Sequence, residues 1–219
     1  MRQKTILNII LDESRSMEAI AEATIKGLGG YLNILRKEDW SNYEVTVTCF
    51  NTDVRQPVKQ VPLKDFKDVR KINYHPQEYT ALYDAAAQTI LKTKVEGTKY
   101  DKLRQKVITV IITDGDDNRS RSYNSKSLKK LIEEKEKEGN WTFVFMGANQ
   151  DSYTAAEIFG INAGNVVNFD ASDEGVEKSY QNLATATSNL SNSISMRATG
   201  VGDATFFSEK EKENIENAR

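Results

Sequence analysis

Histidine and cysteine are almost missing from this chain of 219 residues, which has one of each, His75 and Cys49. A single thiol excludes an internal disulfide framework. Serine-triad chemistry is excluded as well, because His75 precedes Pro76 in a loop and has no paired nucleophile motif. No apolar run is long enough to cross a bilayer. The chain also lacks an excess of one charge: 30 basic residues face 32 acidic ones, for a net charge of −2. That balance argues against nucleic acid as the main partner. The short apolar run at the start ends in Asp12-Glu13 without a small-residue cleavage site, so no secretory leader is expected. These absences lead to the expectation of a soluble, cytoplasmic protein without nucleic-acid or membrane partners.

The apolar residues, 38% of the total, arrive in dense runs. Residues 5–11, 107–112 and 141–146 are nearly all apolar and read as strands covered on both faces of a parallel sheet. Residues 44–50 alternate and put Cys49 on the apolar side with Val45 and Val47, as a small buried hydrophobe. Residues 54–63 contain Pro57 and Pro62, which confines them to an edge strand or hairpin arm. Residues 166–169 form a short last strand.

Helical patterns fall between these strands, at 17–36, 82–95, 125–138, 151–159 and 174–194. Serines at the start of 125–138 are candidate caps, and Gly139 and Gly160 are stops. The order of elements predicts a doubly wound α/β fold. Its central sheet has about six mostly parallel strands, one antiparallel edge strand, and helices on both faces. Residues 1–196 form one domain, followed over 197–219 by a loop and a charged tail or short helix. Residues 97–105 and 197–205 read as loose, and 208–219 as solvated.

In such a sheet, ligands bind beyond the carboxyl ends of the strands. Asp12-Glu13-Ser14-Arg15-Ser16 follows the first strand, and Thr113-Asp114-Gly115-Asp116-Asp117 follows the fourth. Glu78-Tyr79-Thr80 stands ahead of the alanine-rich helix. This is a hard-oxygen donor set, suited to Mg²⁺ or Mn²⁺ and poorly suited to zinc. In an extended loop, Asp12, Ser14 and Ser16 point to one side and can face one cation.

Asp12-x-Ser14-x-Ser16, then Thr80, then Asp114 resembles the metal-ion-dependent adhesion site of the von Willebrand factor A family. The flanking Ile-Leu-Asp-Glu-Ser-Arg-Ser-Met, Thr-Ala-Leu-Tyr-Asp-Ala and Ile-Ile-Thr-Asp-Gly-Asp-Asp extend the likeness. The resemblance implies a stand-alone binding module rather than an enzyme. Ser14 and Ser16 would ligate Mg²⁺ (with Mn²⁺ as a substitute) directly, Thr80 directly or through water, and Asp12 and Asp114 mainly through waters. A partner protein's Asp or Glu would complete the coordination. Arg15 and Tyr79 depart from the family pattern, which has glycine or a small residue at both positions.

Plainer readings stand beside these. Asp12 and Asp114 suit turns, Ser14 and Ser16 suit a helix cap before Met17, and Thr80 suits a cap before Ala81. Glu13 reads as a surface or rim residue, and Asp116 and Asp117 as decoration of a solvated loop. Gly27–Gly30 reads as a close-packing patch on a helix, His75 as a surface histidine, and Asn8 as a hydrogen-bonded core amide. The basic group Arg119, Arg121, Lys126, Lys129 and Lys130 reads as a solvated helix start, with attraction of an acidic partner as its alternative. The competing enzyme reading is a haloacid-dehalogenase-like phosphohydrolase with Asp12 as nucleophile. It needs a general acid two residues on, where the chain has Ser14, whose hydroxyl is too weak an acid.

Overall fold

Thr5–Asp12 (β1) and Lys106–Thr113 (β4) are buried at every position and lie side by side at the centre of a six-stranded sheet. The computed structural model describes residues 4–39, 42–102, 104–148, 152–193 and 205–217. The other strands are Tyr43–Phe50 (β2), Val54–Pro62 (β3), Trp141–Ala148 (β5) and Val166–Phe169 (β6). Their order is β3-β2-β1-β4-β5-β6, with every pair parallel except β2 with β3. The predicted mostly parallel sheet with one antiparallel edge is therefore present. Proline confines β3 to the edge, since Pro57 and Pro62 have no N–H to give a second neighbour.

The α-helices among the described residues are Ala21–Asp39 (α1), Leu82–Lys92 (α2), Lys99–Lys102 (α3), Ser125–Glu136 (α4), Ser152–Phe159 (α5), Asp173–Asn192 (α6) and Glu209–Glu216 (α7). Strand alternation sorts the core into two layers. Leu7, Ile9 and Leu11 pack with Leu28 and Leu32 of α1 and Val176 and Leu183 of α6. Ile6 and Ile10 pack with Ala86 and Ile90 of α2, Leu128 and Ile132 of α4, and Ala156 of α5.

Four local readings need correction. The helix expected over 17–36 begins as a 3-10 turn, Arg15–Ile20, before α1 takes over. α4 is capped by Asn124, whose side chain accepts from the Ser127 N–H while Ser127 reciprocates; the opening Ser125 is not the cap. The stretch 97–105 holds the short α3, pinned where Asp101 accepts from both the N–H and the hydroxyl of Thr98. The final segment is not a solvated appendage. Phe206, Phe207 and Ile215 are buried, and Lys212 Nζ donates to the Ala163 carbonyl. The loose stretch expected over 197–205 lies outside the described residues except for Thr205, as does Ile194 of the expected helix stripe.

The helix expected over 82–95 ends at Lys92, while other local readings agree. Gly139 and Gly160 stop their helices with positive φ, 81° and 75°. A Cβ on Gly27 would meet the Tyr180 ring at 2.3 Å, so α1 and α6 can approach this closely only over a glycine. Cys49 is buried, and burial pushes its thiol up to about 12. Asn8 is a core amide whose Nδ2 donates to the hydroxyls of Thr93 and Thr109.

Candidate metal centre

β1 and β4 run parallel and end together, so the acids at their carboxyl ends, Asp12 and Asp114, arrive at the same place. Asp12 is fully buried. Its Oδ1 accepts from the Ser14 N–H at 2.7 Å, and its Oδ2 from the Thr113 hydroxyl at 2.5 Å. The Ser14 and Ser16 hydroxyls lie 3.1 Å apart, and Ser16 Oγ donates to Asp114 Oδ1 at 2.7 Å. One hydrogen-bonded chain thus joins four of the five residues named from sequence.

Thr80 is the fifth. It is buried, and its hydroxyl makes no hydrogen bond to the other four among the described residues. Its backbone ties the loops together instead. The Thr80 N–H donates to Asn118 Oδ1, and its carbonyl accepts from the N–H groups of Asn118 and Arg119. On the other side, Arg15 N–H donates to the Glu78 carbonyl and Gln77 N–H to the Glu13 carbonyl. The threonine loop is therefore laced to both acid-bearing loops.

The capping readings fail on geometry. Ser14 stands at the N-cap of the 3-10 turn but makes no side-chain cap hydrogen bond. The N-cap of α2 is Ala81, not Thr80. None of these hydroxyls is spent on a helix end.

Electrostatics set this cluster apart. Burial pushes the Asp12 carboxyl up to about 6; hydrogen bonds from Thr113 and Ser14 oppose the shift and the neighbouring Asp114 adds to it. Asp114 is raised too, by burial, against the hydrogen bond from Ser16. Neither acid forms an ion pair with a base among the described residues. Two carboxylates held together without a counter-charge are what a cation would relieve, and the hydroxyl and carboxylate oxygens are ligands a hard divalent ion accepts. Among the described residues, no group of three or more His, Cys, Asp or Glu side chains is placed to hold a metal. Hydroxyls must therefore supply much of any coordination here.

Several supporting residues escaped the sequence reading. Glu13 is not a rim residue. It is buried, and its carboxylate takes a two-pronged ion pair from Arg55 of β3, at 2.9 and 2.5 Å, plus the His75 N–H. Arg55 also donates to the carbonyls of Ile72 and Asn73, so this pair clamps the 72–75 loop beneath the site. Tyr74 in that loop donates its hydroxyl to the Asp12 carbonyl at 2.6 Å. His75 itself is exposed, as expected.

Asp117 is not loop decoration either. It accepts from the Tyr83 N–H and from both the N–H and hydroxyl of Ser120, whereas Asp116 is exposed. Asp84, in the first turn of α2, accepts from the N–H groups of Arg121, Ser122 and Tyr123. A lone acid on an alanine-rich helix face was the available signal for Asp84. Asn118 and Arg55 left no comparable sign, since their partners are distant in sequence.

No protein-family model matches the sequence, and neither does any curated protein. Solved structures do. A von Willebrand factor type A protein from Catenulispora acidiphila superposes with a TM-score of 0.62 at 15% identity, over 84% of this chain and 43% of that one. Proximal thread matrix protein 1 from the mussel byssus, with a zinc-occupied MIDAS motif, gives 0.65 at 13% identity, over 85% of this chain and 46% of that one. The SpRpn10 VWA domain gives 0.57 at 13% identity, over 84% of this chain and 95% of that one. This chain thus spans under half the length of the first two and nearly all of the third. The architecture of the chain is the von Willebrand factor A fold.

Proposed function

We infer that the three loops bind a divalent cation, Mg²⁺ or Mn²⁺, and through it a carboxylate from a partner protein. The observation that carries this reading is the chain Asp12–Ser14–Ser16–Asp114, whose hydroxyls cap nothing and whose acids have no basic partner among the described residues. Ser14, Ser16 and Thr80 would supply neutral oxygen ligands, with Asp12 and Asp114 holding charge beside them. Such a cation, when bound, is a Lewis acid whose charge neutral ligands leave partly uncompensated, so it attracts an anionic oxygen. The chain's own residues do the rest. Thr113 and the Ser14 amide fix the Asp12 carboxylate, the Glu13–Arg55 clamp steadies the loop beneath it, and Asn118 holds Thr80 against the Asp114 loop.

Binding is favoured over phosphoryl transfer because the position two residues beyond Asp12, where such a transfer needs its general acid, holds Ser14, whose hydroxyl is too weak an acid.

The test is a Mn²⁺ titration read by the loss of the free-ion electron-spin signal, with Mg²⁺ and Zn²⁺ as competitors. Wild type should bind one ion, and Ser14→Ala/Ser16→Ala should bind about a hundredfold more weakly or not at all. Equal affinity in the double variant overturns the assignment. Mg²⁺-dependent turnover of a phosphate ester that is abolished by Asp12→Asn replaces it with the enzyme reading.

A further inference from the structure

The site is rimmed by one exposed aromatic residue. Tyr79 is 58% exposed, and the other large exposed hydrophobic side chains among the described residues, Leu91 and Ile158, lie on α2 and α5. It follows Glu78, a non-glycine residue held at φ 64°, a conformation that side chains disfavour and that persists only where the surroundings impose it. Those surroundings are the backbone bonds on either side, from Arg15 N–H to the Glu78 carbonyl and from Arg119 N–H to the Thr80 carbonyl. Held in this way, Tyr79 stands outward beside Thr80. Arg119 lays its guanidinium over the ring, 5.5 Å from the centroid.

A guanidinium stacked on a ring keeps its in-plane N–H groups free, and that planar fork matches a carboxylate. Arg119 is exposed and makes no ion pair among the described residues. Arg15, exposed in the adjoining loop, adds positive charge on the other side of Glu78. Resting on the carboxylate-docking reading above, we propose that the Tyr79–Arg119 stack is the specificity surface of the site and receives a second carboxylate from the same partner segment. The partner is therefore a peptide segment carrying two acids, one for the cation and one for Arg119. Tyrosine and arginine are also the side chains that most often anchor protein interfaces.

The test uses short synthetic peptides with one Asp, and a matched set with a second Asp at each successive position, read by fluorescence anisotropy in Mg²⁺. On wild type the best two-acid peptide should bind about fivefold tighter than the one-acid peptide, the range for an exposed but preorganised fork. Arg119→Gln and Tyr79→Ala should bring that ratio close to one, Arg119→Lys should retain only part of it, and Mn²⁺ affinity should be unchanged in all three. A ratio near one on wild type that binds Mn²⁺, or the same ratio in Arg119→Gln as in wild type, overturns the specificity surface and leaves the metal reading standing. Failure of wild type to bind Mn²⁺ overturns the metal reading itself, and this inference with it.

Discussion

At the amino ends of β1 and β4 the chain buries Thr5 and Lys106; at their carboxyl ends it buries Asp12 and Thr113. Both ends therefore bring polar groups into the middle of the sheet, and they treat them differently. At the amino end the charge is answered by the protein. Lys106 Nζ donates to the carbonyls of Leu190, Ser191 and Ser193 and to the Ser193 hydroxyl, closing the carboxyl end of α6, while Thr5 and Ser191 share a hydrogen bond of 2.7 Å. Helix carbonyls carry partial negative charge, so the ammonium suits them, and this offsets the burial that pushes its pKa down to about 8. At the carboxyl end two acids stand together without a basic partner among the described residues, and hydroxyls are left off helix caps. One end is a finished structural joint. The other, on the function proposed above, is completed by a cation.

The largest expected effect breaks the closed end. Lys106→Met leaves the last carbonyls of α6 unpaired and should cost about 3 kcal/mol in chemical denaturation while leaving cation affinity unchanged. A loss of both would mean that the two ends are coupled, and the contrast between them would fall. The next effect concerns packing between α1 and α6. Gly27→Ala drives a methyl group into Tyr180 and should lower stability by about 2 kcal/mol, again without touching the cation.

How much of this contrast was legible in the sequence depends on how local each signal is. The strands, their burial on both faces and the edge position of β3 follow from runs and alternation along the chain, whereas the set Asp12, Ser14, Ser16, Thr80 and Asp114 is named by the motif's resemblance to the von Willebrand factor A family. Supporting contacts do not, because Glu13 meets Arg55, Thr80 meets Asn118, and Lys106 meets α6 only after the sheet has assembled. Glu13 looked like a rim residue because its neighbours in sequence are polar. Its actual partner lies 42 residues away, on the one antiparallel strand.

A smaller effect sharpens the open end through pH. The Asp12 carboxyl is raised from 3.8 to about 6, so the folded, cation-free protein holds its proton more tightly than the unfolded chain does. This group's contribution to cation-free stability therefore rises as pH falls from above 6 towards 4. Cation affinity moves the other way, since the proton competes for the same charge, and should be about tenfold weaker at pH 5 than at pH 7 by calorimetric titration. The smallest effect is on stability at the rim: Tyr79→Ala should change it by less than about 0.5 kcal/mol, because that side chain is exposed and supports no core.

The most direct measurement is anomalous diffraction from a crystal soaked in Mn²⁺. The account predicts one strong peak within about 2.2 Å of the Ser14 and Ser16 hydroxyl oxygens, beside Thr80 and bordered by Asp12 and Asp114. No peak at that cluster, with or without a peak elsewhere on the protein, would contradict it.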